Sequence, residues 1–115
     1  MGFGAKDQID AMIPILTEMG VDVTPVQTLF QKAIYAGQSD VEGQRALEKQ
    51  AVQAAARLME QAFREQMAPL REKATRVRIN QADVQVKQAK AAADSGRLTE
   101  AVLIYRQAQK ILKGS

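Results

Sequence analysis

The chain has 115 residues, of which 46% are apolar but only 4% aromatic, and it contains neither cysteine nor histidine. That length suits one domain burying roughly 65% of its unfolded surface. The two missing residue types exclude disulfides, thiolate or histidine-based catalysis and the common zinc sites.

The net charge of +3 is unevenly placed. Residues 1–68 hold six Lys/Arg against nine Asp/Glu, and residues 69–115 hold ten against four. Such a division suits a surface for acidic partners, two halves that pack on each other, or head-to-tail pairing of two chains. Abundant alanine with few aromatic residues favours closely approaching helices over sheets. Charges interrupt every apolar run before the 18 to 20 residues that a bilayer span needs. Met1-Gly2-Phe3-Gly4-Ala5-Lys6 has no apolar block of a secretory signal, and Lys6 stands where a myristoylation site wants Ser or Thr. A soluble, cytoplasmic chain is therefore expected, and Gly114-Ser115 carries no structural weight.

In chain order, Ile9, Met12, Ile13, Leu16 and Met19 form a helical stripe. Pro14 inside it predicts a kink or a start near Ile13, and Gly20 a left-handed C-cap with Val21 making the apolar contact. Thr24-Pro25-Val26-Gln27 reads as a capping box with Thr24 as the cap. Val26, Leu29, Phe30, Ala33 and Ile34 follow as a stripe closed by Gly37. Ser39-Asp40-Val41-Glu42 then offers a second capping box.

A long helix is expected from about Asp40 to Met67, with Leu47, Ala51, Ala54, Leu58, Ala62 and Phe63 buried and Met59 and Met67 drifting around them. Pro69 predicts a kink or break. The stripe resumes through Leu70, Ala74 and Val77, either running on to Ala93 or pausing at Asn80. Ala82, Val86, Ala89 and Ala93, then Asp94-Ser95-Gly96-Arg97, then Leu98, Ala101, Ile104, Tyr105, Ala108, Ile111 and Leu112 describe two amphipathic helices and a tight turn. The expected fold is an all-α antiparallel bundle or hairpin array of four to five helices in a single domain, 1–115. Its outline reads either as two related hairpins, about 5–67 and 70–113, or as the likeness that any two helical hairpins share.

Ala89, Ala92, Gly96, Leu98, Ala101, Tyr105 and Ala108 resemble a tetratricopeptide repeat over about 31 residues. Gln85 and Gln88 replace that family's bulky aromatic and leucine, and Leu112-Lys113-Gly114 replaces its closing proline. Ala92 to Ala101, with Tyr105 and Ala108, equally resembles the first two helices of an MIT domain, a family with a third helix. The Gly20-Val21-Asp22-Val23 turn is similar to helical-hairpin spacers of large multidomain proteins. Each resemblance implies protein binding or spacing, not catalysis.

No residue constellation declares a reaction, a cofactor or a metal. Glu-x-x-His pairs are impossible, and Gly2-Phe3-Gly4 lacks the rest of a phosphate loop. Glu60 and Glu65, five apart among charged neighbours, read as a solvated face. On a continuous helix Lys73, Arg76, Lys87 and Lys90 would fall within about 100° of one another, a candidate polyanion stripe interrupted by Asp83 and without interleaved aromatics. Met59, Phe63 and Met67 read first as core. If the bundle leaves a groove, they make an adaptable floor for a partner helix. The expected function is a non-catalytic protein-interaction, scaffold or spacer module with an unidentified protein partner or a second copy. The alternative is a basic helical accessory protein binding nucleic acid or another polyanion.

Overall fold

The computed structural model describes residues 5–114, which form five α-helices: α1 (Ala5–Glu18), α2 (Thr24–Ala36), α3 (Val41–Lys73), α4 (Arg76–Asp94) and α5 (Leu98–Lys113). The fold is all-α, with 86% helix and no strand among the described residues. At 1.5 Å per residue the 33-residue α3 is about 50 Å long, and it sets the longest dimension of a 54 × 27 × 17 Å molecule. The radius of gyration, 15.6 Å, exceeds the about 13 Å of an equally long compact chain. One helix thus serves as a spine.

Around that spine, α2 folds back along the N-terminal half of α3, while α5 packs against its C-terminal half. Helix α1 lies against α3 and α5 and scarcely touches α2. The closest pair is α4–α5; α4 meets α3 only sparingly. One core joins Ile9, Met12 and Leu16 of α1, Val26 of α2, Ala51, Ala55, Met59, Phe63 and Met67 of α3, and Ala89, Leu98, Ala101, Tyr105, Ala108 and Leu112 of the final hairpin.

The turns follow local chemistry. Gly20 has φ +82° and Gly96 φ +84°. Val21 N–H reaches Leu16 C=O at 2.9 Å and Arg97 N–H reaches Ala92 C=O at 2.9 Å, the six-to-one bond that closes a helix through a left-handed residue. Asp40 caps α3, its Oδ1 accepting from Gly43 N–H at 3.0 Å. Helix α5 has no local side-chain cap. The buried Gln8 of α1 serves instead, its Oε1 accepting from Thr99 N–H at 3.1 Å and from the Thr99 hydroxyl at 3.2 Å.

Several expectations are corrected. Thr24 is the first residue of α2 rather than its cap. The Asp22 carboxylate accepts from Thr24 N–H at 3.0 Å, and the Thr24 side-chain and backbone hydrogen bonds hold its pKa below the usual carboxylate value. Helix α1 does not start near Ile13, and α3 does not end at Pro69, because both prolines lie inside continuous helices. Pro14 and Pro69 are exposed, as are Asp10 and Glu65. The carbonyls deprived of a partner therefore belong to the wet side, where water can satisfy them. The chain breaks instead at Ala74–Thr75, where the Thr75 hydroxyl accepts from Arg78 N–H at 3.3 Å. Helix α4 runs through Asn80 without a pause.

Burial along α3 also differs in part from the expected stripe. Ala51, Ala62 and Phe63 are buried as expected, and so are Ala55, Met59 and Met67, while Leu47, Ala54 and Leu58 are only half-buried. The spine is covered by α2 on one side and by α1 and α5 on another, so it needs two seams.

Candidate functional site

Two surfaces of this frame carry groups not used up by folding. The first is the tip where α2 turns into α3. Ile34 is 52% exposed, Tyr35 76% and Val41 58%. These three flank the 37–40 turn. The α4–α5 turn abuts α3 around Arg45 to Gln53, which leaves the first turns of α3 to α2. Ile34 belongs to the predicted apolar stripe of α2, yet so near the tip no second neighbour covers it.

The second surface is the gap where α3 and α4 diverge over α5. Two cavities lie there, of about 220 Å³ and 310 Å³, and both include Glu60 and Tyr105 in their walls. The smaller is completed by Gln53, Ala56, Arg57, Lys90, Ala93 and Asp94. Arg64, Met67, Ala68, Arg71 and Val86 complete the larger. Ion pairs bridge the gap. Glu60 Oε1 accepts from Arg64 Nη2 at 2.8 Å and lies 3.5 Å from Lys90 Nζ, and Arg71 Nη1 donates to Asp83 Oδ1 at 2.9 Å.

Tyr105 floors the gap. Its ring stacks on Phe63 with centroids 4.7 Å apart and planes 9° from parallel. Its hydroxyl is buried with no hydrogen-bond partner among the described residues. Burial pushes its pKa up to about 12, with the Glu60 and Asp94 carboxylates adding to the rise and Arg64 opposing it. The phenol is therefore a proton donor at any physiological pH.

The sequence-based candidates separate in space. Met59 and Phe63 are core residues, and Met67, also buried, is the one of the three that reaches a cavity wall. The continuous helix needed to align Lys73 with Arg76, Lys87 and Lys90 does not exist, since Lys73 ends α3 before the break at Ala74–Thr75. Lys90 faces Glu60, and Asp83 is held by Arg71. Glu60 and Glu65 do not form a pair: Glu60 joins the gap, whereas Glu65 Oε1 accepts from Gln61 at 3.4 Å on the exposed face. Sequence reasoning took Tyr105 only as core. The one available signal was a phenol rather than a phenyl ring in the alanine stripe of α5.

No family model, curated protein or solved structure matches the chain. No helix among the described residues is long and apolar enough to cross a membrane.

Proposed function

We propose that the chain is a non-catalytic helical interaction module of the cytoplasm that makes its protein contacts through the α2–α3 tip, a second copy of the chain being one such partner. The observation that carries the reading is the grouping of Ile34, Tyr35 and Val41, all more than half exposed, about one turn. Tyrosine is favoured at contact hot spots because it buries a large rigid surface at little entropic cost. The rest of the molecule supplies rigidity, with α4–α5 locked to the spine through Phe63–Tyr105 and to α1 through Gln8. The α4–α5 hairpin also fits the binding or spacing role that the tetratricopeptide-like and MIT-like patterns imply.

Light scattering over a concentration series, at low and high salt, tests this. The wild type is expected to self-associate as concentration rises. The double variant Ile34→Ser/Tyr35→Ser is expected to stay monomeric with an unchanged melting temperature. A wild type that remains strictly monomeric throughout would remove the self-association and leave the spacer role.

The polyanion reading retains one favourable observation: Lys73, Arg76 and Lys87 are exposed and form no ion pair among the described residues. Salt-sensitive RNA or DNA binding, lost when Lys73, Arg76, Lys87 and Lys90 become Gln, would promote it over protein contact.

A further inference from the structure

A buried donor left unpaired destabilises a fold, and phenylalanine at position 105 would keep the ring on Phe63 without that cost. The hydroxyl therefore calls for a partner from outside the chain. The larger of the two cavities that Tyr105 lines, about 310 Å³, lies at the lower end of the size range of small-molecule sites.

The wall chemistry narrows the class of occupant. Every charged side chain lining this cavity already has an ionic partner: Glu60 meets Arg64 and Lys90, and Arg71 meets Asp83. No charge on the wall is left without an ionic partner to draw in an ion. Met67, Ala68 and Val86 offer apolar surface, and among the described residues the Tyr105 hydroxyl is the one buried side-chain donor without an acceptor.

We propose that this cavity binds a small, uncharged, mainly apolar molecule carrying one carbonyl-type acceptor, which accepts a hydrogen bond from the Tyr105 hydroxyl. The site is distinct from the α2–α3 tip and does not depend on it. The bond needs a protonated phenol, and burial keeps Tyr105 protonated up to about 12.

Three probes of one ring size test the assignment by amide-shift titration: 2-acetylnaphthalene, which carries the acceptor, 2-ethylnaphthalene, which lacks it, and 2-naphthoate, which is charged. The ketone is expected to bind the wild type roughly fivefold to tenfold more tightly than the hydrocarbon, the ratio that one neutral hydrogen bond supplies. It should also bind more tightly than the carboxylate, with shifts centred on Met67, Val86 and Tyr105. In Tyr105→Phe the ketone-to-hydrocarbon ratio should fall to about one, while the melting temperature stays level or rises. A packing role alone would not move that ratio. Should Tyr105→Phe fold poorly, Val86→Trp, which fills the cavity from its rim, should abolish binding of both neutral probes.

Equal affinity for ketone and hydrocarbon in the wild type would overturn the proposal. So would tighter binding of the carboxylate, a ratio unchanged in Tyr105→Phe, shifts centred on the tip, or no binding of either neutral probe.

Discussion

The α4–α5 and α2–α3 hairpins join antiparallel helices through turns of similar length but close them with different chemistry. In α4–α5, Gly96 adopts φ +84° and the six-to-one bond turns the chain sharply. The small residues Ala89, Ala92, Ala101 and Ala108 are then buried. In α2–α3, Gly37 stays right-handed at φ −61°, and the chain passes through Gln38 and Ser39 to the Asp40 cap. Ala33 is buried, but Ile34, Tyr35 and Val41 are left in water. A left-handed glycine with an alanine seam yields a sealed hairpin. A right-handed glycine followed by a capped restart yields an open tip.

Breaking the sealed half at its centre should have the largest effect. Phe63→Ala removes the stack on Tyr105 and opens a cavity between α3 and α5. It is expected to cost about 3 to 5 kcal/mol by denaturant unfolding. Ala101→Leu should cost about 1 to 3 kcal/mol, because Ala101 is fully buried and added carbons must displace neighbours. Unchanged stability there would contradict the register of the hairpin.

A matched pair of glycine substitutions sharpens the comparison. Gly96→Ala forces an L side chain into the left-handed region and should cost about 1 to 2 kcal/mol. Gly37→Ala keeps a permitted backbone, and its new Cβ meets only the flexible side chain of Gln44. Its effect should stay within about 0.5 kcal/mol. Equal losses at the two sites would erase the distinction between the turns.

One further expected effect is confined to alkaline pH. Tyr105 has a folded pKa raised to about 12 from 10.0, so the native state holds its proton longer than the unfolded chain. The stability it contributes is complete below pH 10 and is lost as pH rises from there through about 12. A Tyr35→Phe variant leaves a single tyrosine. Its absorbance titration should therefore show one ionisation near pH 12, coupled to helix loss.

What could be read before folding was whatever depends on near neighbours in the chain. The period of α5 placed Ala101, Tyr105 and Ala108 on one face, and all three are buried. Gly20 and Gly96 announced turns through residue chemistry alone, and the 39–42 box announced a capped start, although the cap is Asp40 rather than Ser39. What depended on distant partners was not legible. The Thr99 N–H is satisfied by Gln8, ninety-one positions away. The buried seam of α3 is set by neighbours on two sides, so Leu47, Ala54 and Leu58 of its expected stripe are only half-buried. Neither proline ends its helix, because local pattern does not reveal which face is wet. The unpaired hydroxyl of Tyr105 and the gap above it arise from the divergence of α3 and α4, which no single stripe records.

Amide hydrogen exchange at low and high protein concentration tests the division into a rigid body and a contact tip most directly. At low concentration, amides of residues 55–67 and 98–112 should exchange slowly, through global opening, and those of residues 33–45 much faster. At high concentration protection should rise at 33–45 and stay level in the other two segments. Uniform protection along the chain, or protection gained instead along the exposed face of α4 at Val77 and Val84, would contradict the account.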